Sequence, residues 1–280
     1  MSSADQYAVF GNPIRHSKSP EIHAAFAAQS AQNMVYRTHL VEEGLFEESA
    51  HRFFANGGKG LNITVPCKVD AFGYADTLSE RARRAGAVNT LALQEDGSIY
   101  GDNTDGAGIV RDMLENLAWE VGNRRVLVLG AGGAVRGILG PLLARKPSHV
   151  VIANRTVDKA RNLAREFAEL GEVRGCSYDG LAGSQFDIVI NGTSASMSGE
   201  LPPLPPQLLS DSACCYDMMY AASATPFMHW AAGEAAWAVS DGLGMLVEQA
   251  AESFCIWRGI RPETAPVIEQ IRASLTKGEA

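Results

Sequence analysis

The stretch RRVLVLGAGGAVRG, residues 124–137, constrains the fold of this chain more than any other. An apolar run that leads straight into a glycine-rich turn and a helix is typical of dinucleotide-binding sheets. The glycines there allow a tight turn and bring a pyrophosphate close to the N–H groups of the helix N-terminus. Gly130 and Gly132 occupy the first two glycine positions of this pattern, whereas Val135 occupies the third, where glycine or alanine is usual. The stretch predicts a nucleotide site, with a turn that only packs strand on helix as the alternative.

The end of the next predicted strand, HVVIANRT at residues 149–156, distinguishes between the two nicotinamide cofactors. A site for NAD usually places an acidic residue here to bind the ribose hydroxyls, and that carboxylate would repel a 2′-phosphate. This chain instead has Asn154, Arg155 and Thr156, with Lys159 close behind. A guanidinium can bind a phosphate through two parallel hydrogen bonds. The segment therefore predicts NADP, and an ordinary exposed basic surface is the alternative.

Composition limits the class of protein. The 280 residues are enough for two domains of ordinary size. A net charge of −8 argues against nucleic acids and anionic membranes as partners. No apolar run reaches the ~18 residues of a membrane-spanning helix and no signal-peptide pattern is seen, so we expect a cytoplasmic protein without a membrane partner. The five cysteines are scattered and lack a C-x-x-C spacing, which favours neither a metal site nor a disulfide framework.

Short β-rich runs alternate with helical patterns, which predicts an α/β fold with mostly parallel sheets. In the first unit we predict strands at 7–11, 35–41 and 60–67 and helices at 19–31, 43–57 and 69–86. Two alternating arms flank Asp96-Gly97, and this hairpin signal predicts an antiparallel edge that closes the unit. We place a domain boundary near Asp105, and further strand-like runs at 186–194, 213–220 and 235–242 extend the second sheet.

Polar side chains follow the predicted strands in both units. In the first unit they are Ser17, Ser19, Asn62, Thr64, Lys68, Asn89 and Asp105. In the second unit, Thr193, Ser194, Tyr220 and Gly242 lie at the edge where such sheets bind ligands. Each has an ordinary explanation as well: Ser19, before Pro20, is a good helix N-cap, and Asp105 could cap the next helix. Together, hydroxyls and amides suit a small polyhydroxylated acid, and a lysine beside a carboxylate can exchange a hydroxyl proton as hydride leaves.

The motifs of this chain resemble those of shikimate dehydrogenases, in the same order, from about Tyr7 to about Arg258. They read GNPIRHSKSPEIH, LNITVPCK, AGAVNTL, GDNTDG, GAGGAVRG, ANRT, NGTSASMSG, YDMMY followed by TPF, and DGLGMLVEQA. The resemblance implies NADPH-dependent, reversible reduction of 3-dehydroshikimate to shikimate in aromatic amino acid biosynthesis. It also implies a catalytic domain of residues 1–105 with a three-layer, mostly parallel sheet, a Rossmann-type NADP domain of residues 106–241, and C-terminal helices at 242–280 that return to the catalytic domain.

The resemblance also implies roles for individual residues. Lys68 and Asp105 match the catalytic pair. The residues implied to bind the substrate are Ser17, Ser19 and Tyr220 at its carboxylate, and Asn62, Thr64, Lys68, Asn89, Asp105 and Gln249 around its ring. The residues implied to bind NADP are Gly130, Ala131, Gly132, Gly133 and Ala134 at the diphosphate, Asn154, Arg155, Thr156 and Lys159 at the adenosine phosphate, and Thr193, Met218, Gly242 and Met245 at the nicotinamide.

Departures from the family pattern are few. Lys159 stands where arginine is common, so the phosphate site keeps its charge but loses bidentate geometry at this position. Cys67, inside VPCK, replaces a frequent aromatic residue; we interpret it as a packing residue, with a reactive thiol as the alternative. His23 is interpreted as a helix-face residue and His16 as a minor electrostatic contributor.

Two other functions stay open at this point. The protein could be a quinate/shikimate dehydrogenase-like paralogue with relaxed substrate or cofactor choice, although Arg155 and the Ser17 and Ser19 pair favour strict use of shikimate and NADP. A shikimate sensor without catalysis could keep the fold, but it would have no reason to retain both Lys68 and Asp105. The sequence does not decide between a monomer and a homodimer.

Overall fold

The computed structural model describes residues 3–193 and 200–277. Its first half contains β1 (Asp5–Gly11), α1 (Ser19–Gln29), β2 (Met34–Leu40), α2 (Phe46–Ala55), β3 (Gly58–Ile63), α3 (Lys68–Tyr74), β4 (Thr77–Leu78), α4 (Glu80–Ala85), β5 (Thr90–Leu93), β6 (Ile99–Asp102) and α5 (Asp105–Arg111). Its second half contains β7 (Arg125–Leu129), α6 (Gly133–Leu143), β8 (His149–Ala153), α7 (Val157–Phe167), β9 (Val173–Cys176), β10 (Phe186–Asn191), β11 (Leu209–Asp217), α8 (Pro226–Gly233), β12 (Ala238–Ser240), α9 (Leu243–Arg258) and α10 (Ala265–Lys277).

The chain divides into two compact units. Unit 1 comprises Met1–Gly108 and Val247–Ala273, and unit 2 comprises Ile109–Leu246 and Ser274–Ala280. Each contains one six-stranded sheet covered by helices, so the α/β fold predicted from the sequence is confirmed.

The sheet of unit 1 has the order β2-β1-β3-β5-β6-β4. β1 pairs in parallel with β2 and β3, whereas β5 is antiparallel to both of its neighbours. Alternation along β1 explains how both faces of the sheet are covered. Phe10 packs against Phe46 and Phe53 of α2, while Tyr7 points to the other face and lies 4.8 Å from Trp257 of α9, ring centre to ring centre. The unit therefore has three layers, with helices on each side of the sheet.

Two predictions for unit 1 are wrong. Residues 69–86 form two short helices, α3 and α4, rather than one, because Thr77 and Leu78 between them pair in parallel with Tyr100 and Gly101 of β6. The hairpin of β5 and β6 forms as predicted around its turn, but it is not the edge of the sheet. β4 occupies that edge instead.

The sheet of unit 2 has the order β12-β11-β10-β7-β8-β9, and its strand pairs are all parallel. The chain proceeds outward from β7 in both directions, so the order reverses between β7 and β10. In doubly wound sheets, ligands bind at the carboxyl ends of the strands beside this reversal. Val126 and Val128 pack into one core with α6, and Leu127 and Leu129 into a second core on the opposite face. Burial on both faces explains why β7 reads as a continuous apolar run.

Candidate active site

The polar residues of unit 1 meet at one edge of its sheet because of strand register. Asn62, near the end of β3, pairs with Val9 of β1 and with Thr90, the first residue of β5. Thr90 in turn pairs with Asp102, the last residue of β6. Because β5 is antiparallel to its neighbours, its beginning lies beside their ends. The segments that follow β1, β3 and β6 and precede β5 are therefore brought to the same place.

Lys68 and Asp105 form an ion pair at this edge. Lys68 begins α3 and Asp105 begins α5, and Lys68 Nζ lies 2.6 Å from Asp105 Oδ2. The lysine side chain is 28% exposed and the carboxylate 12% exposed, so the ammonium group is the accessible member of the pair. A carboxylate at a helix N-terminus is favoured by the helix dipole. The arrangement keeps a proton donor at the surface of the site and its counter-ion fixed behind it.

Asn89 holds the other oxygen of that carboxylate. Its Nδ2 donates to Asp105 Oδ1 at 2.8 Å. The same nitrogen lies 3.2 Å from Oε1 of Gln249, which belongs to α9. Its Oδ1 accepts from the Thr104 backbone N–H at 2.9 Å. Asn89 is 3% exposed, so these bonds form away from bulk water. The orientation of the Asp105 carboxylate is therefore set by Lys68 on one oxygen and by Asn89 on the other.

Asn62 is the second buried amide of the site. Its Oδ1 accepts from the Tyr36 hydroxyl at 2.8 Å and lies 3.1 Å from His23 Nε2. Its Nδ2 donates to Ser253 Oγ at 2.9 Å and to the Asn89 carbonyl at 3.3 Å. The hydrogen bonds thus join Asn62, Ser253 and Asn89 into one buried network within unit 1.

Sequence reasoning missed several members of this network. The sequence patterns do not single out Tyr36, Thr90, Thr104 or Ser253, and they indicate only a helix-face role for His23. Thr90 and Thr104 lie inside the motifs AGAVNTL and GDNTDG, so these motifs could have indicated them as site residues. Tyr36 in β2 and Ser253 in α9 reach the site only through tertiary packing, and no local pattern marks them.

Ser17 and Ser19 lie after β1, and the structure corrects the predicted cap of α1. The residue at the N-cap position is Lys18, which adopts helical backbone angles (φ −84°, ψ −7°), and Ser19 is the first helical residue. Ile22 N–H donates to the Lys18 carbonyl, so the helix begins one residue earlier than a Ser19 cap would require. Ser17 Oγ accepts from the Ser19 backbone N–H at 3.3 Å. Thr64 follows β3, with its methyl group against Gly11.

In unit 2, the glycine turn after β7 fits a diphosphate. Gly130 has φ +100°, a backbone conformation that favours glycine, and a Cβ there would lie 3.1 Å from the Gly192 carbonyl oxygen. α6 begins at Gly133 without a side-chain cap, and a Cβ on Gly132 or on Gly133 would meet open space. The first N–H groups of α6 thus face an open cradle, which is the arrangement that binds anions at helix N-termini. Ala131 and Ala134 complete the loop.

Val135 at the third glycine position is accommodated by a glycine elsewhere. The side chain is fully buried in the core of unit 2. A Cβ on Gly192, just after β10, would lie 2.4 Å from Val135 Cγ2. The missing side chain at Gly192 therefore leaves the space that the valine fills.

The predicted phosphate residues follow β8. Asn154 Nδ2 donates to the Thr156 carbonyl at 2.9 Å, which shapes the turn into α7. Arg155 and Lys159 are exposed, and within the described part of the chain neither forms an ion pair. The N-terminus of α7 adds its partial positive charge at this turn. These two free cations and a helix N-terminus fit a 2′-phosphate.

Of the four residues implied to line the nicotinamide, Thr193, Met218 and Gly242 follow strands of unit 2, and Met245 lies in the first turn of α9. Thr193 Oγ1 donates to Asn191 Oδ1 at 2.8 Å, and the Met218 backbone N–H donates to the Asn191 carbonyl at 2.9 Å. A Cβ on Gly242 would lie 2.3 Å from the Met218 carbonyl oxygen, and Met245 N–H donates to the Tyr216 hydroxyl at 3.2 Å. Ser194 lies outside the described residues.

Two further residues from the sequence analysis, Tyr220 and Cys67, are partly or fully buried. Tyr220 belongs to unit 2, two residues after Met218, and burial raises the pKa of its hydroxyl. Cys67 is 3% exposed, and burial, followed by the charge of Asp70, raises the pKa of its thiol. A buried thiol with a raised pKa is a poor nucleophile, so Cys67 is a packing residue.

No group of three or more His, Cys, Asp and Glu among the described residues is placed to hold a metal ion. The helices within residues 3–193 and 200–277 are all too short or too polar to cross a membrane.

Three family models match this chain. The shikimate dehydrogenase substrate binding domain matches residues 9–91, shikimate / quinate 5-dehydrogenase matches residues 112–198, and the shikimate 5′-dehydrogenase C-terminal domain matches residues 242–272. The shikimate dehydrogenase (NADP(+)) of Cellvibrio japonicus is 59% identical over 271 residues, which cover 97% of this chain and 98% of the relative. That of Methylococcus capsulatus is 55% identical, with 98% of each chain covered.

Solved structures agree with these sequence relatives. The Ael1 enzyme from Pseudomonas putida superposes with a TM-score of 0.91 at 47% identity, covering 95% of this chain and 98% of that one. Shikimate 5-dehydrogenase from Thermus thermophilus, solved with NADP(H) and shikimate, gives a TM-score of 0.86 at 29% identity, covering 97% of this chain and 100% of that one.

Proposed function

This chain belongs to the shikimate dehydrogenase family, and from that premise we propose that it catalyses the reversible, NADPH-dependent reduction of 3-dehydroshikimate to shikimate. The reaction is a step of aromatic amino acid biosynthesis. The observation that carries the proposal is the Lys68–Asp105 ion pair, whose carboxylate is fixed by a buried asparagine.

Lys68 and Asp105 transfer the proton in this proposal. In the direction of reduction, Lys68, or a water that Lys68 and Asp105 position, donates a proton to the oxygen of the ketone as the carbon receives hydride. In the reverse direction the same group accepts the proton of the substrate hydroxyl. Asp105 orients both the ammonium group and the hydroxyl, because Lys68 holds one of its oxygens and Asn89 holds the other.

The substrate is held by neutral donors. Ser17 and Ser19 bind its carboxylate, with Tyr220 assisting, and the ring hydroxyls are bound by Asn62, Thr64, Asn89, Asp105 and Gln249. Hydroxyl and amide groups suit this task because they bind a carboxylate and hydroxyls without adding charge to the site. The clustering of the unit 1 members at one sheet edge supports this assignment.

The cofactor is NADP, and the glycine cradle and the free cations of unit 2 fit it. When bound, NADPH supplies the hydride that reduces the ketone carbon. The N-terminus of α6, with Gly130, Ala131, Gly132, Gly133 and Ala134, binds the diphosphate. Arg155 and Lys159, with Asn154 and Thr156, bind the 2′-phosphate and adenosine. Thr193, Met218, Gly242 and Met245 orient the nicotinamide.

The same proposal covers the roles of the two units, the cellular location and the oligomeric state. Unit 1 is the substrate-binding catalytic domain, to which the C-terminal helices contribute, and unit 2 is the NADP-binding domain. The protein works in the cytoplasm, with its five cysteines as free thiols, and it is a monomer or a homodimer. Sedimentation equilibrium distinguishes those two states.

A second candidate activity follows from the family model that names quinate beside shikimate. The test is the formation of reduced cofactor from purified protein with shikimate or quinate, each paired with NADP⁺ or NAD⁺. Turnover confined to shikimate with NADP⁺ supports our proposal. Comparable kcat/KM with quinate or NAD⁺ would identify the relaxed paralogue, and shikimate binding without turnover in any combination would identify a sensor.

A further inference from the structure

The imidazole of His23 in α1 is a buried titratable group that the proposed mechanism does not use. The residue is 0% exposed. Its ring stacks on Tyr36, with centres 4.2 Å apart and planes 12° apart, and the aromatic rings of Phe26, Phe254 and Trp257 surround it. Nε2 lies 3.1 Å from Asn62 Oδ1, and Nδ1 has no hydrogen-bond partner.

The neighbours of Asn62 fix which nitrogen of His23 carries hydrogen. Asn62 Nδ2 lies 3.3 Å from the carbonyl oxygen of Asn89, and a carbonyl can only accept. The Nδ2 group must therefore face Asn89, so that Oδ1 faces His23. An oxygen needs a donor, which places the hydrogen of the neutral imidazole on Nε2 and leaves the lone pair on Nδ1 among aromatic rings.

His23 remains neutral over the range in which such an enzyme works. Burial lowers the pKa of the imidazole to about 3, and its hydrogen bond to Asn62 only partly offsets this effect. A second proton would sit on Nδ1, where the structure offers no acceptor. The residue is therefore a permanent donor rather than a proton relay.

We propose that His23 is a positioning residue for the substrate site: its Nε2–H, together with the Tyr36 hydroxyl, locks the amide of Asn62, whose Nδ2 in turn holds the backbone carbonyl of Asn89. Asn89 is the residue that fixes the Asp105 carboxylate. The inference rests on the proposed function, since it takes Asn89 and Asp105 as substrate contacts.

The Oδ1 atom of Asn62 accepts from two donors, and Nδ2 faces three acceptors, namely Ser253 Oγ, the Asn89 carbonyl and, at 3.3 Å, Thr90 Oγ1, so these partners determine the orientation of the amide. The same network continues from Thr90 Oγ1, which donates to Asn89 Oδ1 at 2.9 Å.

The test compares variants that keep or remove the donor. In His23→Leu the donor is lost, and KM for shikimate should rise about 5-fold, the range of one neutral hydrogen bond, while KM for NADP⁺ stays unchanged. His23→Gln, whose Nε2 can replace the imidazole donor, should restore most of the wild-type KM. Asn62→Ala should also raise KM, and adding His23→Leu to it should have little further effect. His51→Gln, a change of an exposed histidine on α2, serves as the control.

Several results would overturn the inference. If Asn62→Ala raises KM for shikimate but His23→Leu does not, His23 has only a packing role while the proposed function stands. Equal increases in KM for shikimate in His23→Leu and His23→Gln would also show that His23 has only a packing role. If the wild type does not turn over shikimate, or if Asn62→Ala leaves KM unchanged, the fault lies in the proposed function or in the assigned substrate contact.

A measurement on the wild-type protein covers the case in which His23→Leu does not fold. Imidazole ¹⁵N chemical shifts distinguish the two neutral tautomers and the protonated ring. We expect hydrogen on Nε2 alone, unchanged down to mildly acidic pH. Hydrogen on Nδ1, or protonation near the ordinary histidine pKa of about 6.5, would overturn the inference.

Discussion

Lys68 Nζ lies 2.6 Å from Asp105 Oδ2, and the other oxygen of this carboxylate accepts from Asn89 at 2.8 Å. The lysine is thus held by a partner that is itself held by a buried amide. An ion pair that served only stability would gain little from an ammonium group that remains one-quarter exposed. The geometry suits a group that must reach substrate.

Removing the ammonium group should abolish chemistry and spare binding. In Lys68→Ala we expect kcat to fall about 100-fold or more with KM for shikimate near normal, because the proton is transferred only in the transition state. Steady-state kinetics measures both constants, and Lys59→Ala, an exposed lysine of β3, is the control. Wild-type kcat in Lys68→Ala would remove Lys68 from the mechanism.

Ser17→Ala should give the opposite pattern. A donor to the substrate carboxylate lies far from the reacting carbon and contributes equally to the ground and transition states. We expect KM for shikimate to rise about 10-fold or more, as for a hydrogen bond to a charged group, with kcat largely kept. Ser49→Ala in α2 provides the comparison. A large fall in kcat at unchanged KM would argue against carboxylate binding by Ser17.

Arg155→Ala should separate the two cofactors. Loss of a charge-assisted contact to the 2′-phosphate should raise KM for NADP⁺ about 10-fold or more and leave KM for NAD⁺, which lacks this phosphate, unchanged. Arg165→Ala, an exposed arginine in the last turn of α7, tests for a general effect of charge. Equal changes with both cofactors would place Arg155 at adenine or outside the site.

Gly132→Ala separates cofactor binding from folding. Its Cβ would meet open space and its φ of −90° suits alanine, so the thermal midpoint of unfolding should not fall. The new methyl group would occupy the cradle in which the diphosphate is proposed to lie, and KM for NADP⁺ should rise. Gly233→Ala, also in open space, is the matched control. If KM stays unchanged, the diphosphate does not approach this glycine.

Asp187 should make unit 2 sensitive to acid. Hydrogen bonds from the side chain of Arg125, its backbone N–H and Ser210 hold the pKa of this carboxyl below its ordinary value. Because the folded-state pKa is lowered, the stabilisation is complete above the unfolded pKa of about 3.9 and is lost as pH falls through and below it.

The variant Asp187→Asn tests this acid sensitivity, because it removes the charge and keeps the shape of the side chain. Urea unfolding at neutral pH should show a loss of about 1 kcal/mol in the free energy of unfolding, because the Arg125 side chain is 38% exposed and water can replace part of what the carboxylate supplies. The difference from wild type should shrink as the pH approaches and passes below 3.9, which is about the ordinary aspartate pKa. A difference that does not vary with pH would show that the ionised carboxylate is not what stabilises the unit.

Most of the fold follows from local patterns in the sequence. The strands of unit 2 are short apolar runs, because both faces of the sheet are buried. The apolar runs and the glycine or polar residues that bound them are sufficient to predict these strands. The failures in unit 1 concern β4 and the edge of the sheet. A two-residue strand has no periodicity, and its partner lies more than 20 residues later in the chain.

The site divides in the same way. Residues at strand ends, such as Lys68 and Asp105, could be predicted because parallel topology gathers strand ends. The partners that hold them could not. Tyr36 and Ser253 contact Asn62 from β2 and α9, and the valine in the nucleotide turn is tolerated because Gly192 lies against it. Such long-range complementarity leaves no local signal.

The most direct test of the account is single-turnover formation of NADPH, with wild-type protein or Lys68→Ala in excess over shikimate and saturated with NADP⁺. Isothermal titration calorimetry on the same samples gives the affinity for shikimate. We expect one equivalent of NADPH per shikimate from the wild type, up to the reaction equilibrium, and a rate at least about 100-fold lower in Lys68→Ala at similar affinity for shikimate. Equal rates in the two proteins, or no NADPH from a wild type that binds shikimate, would contradict it.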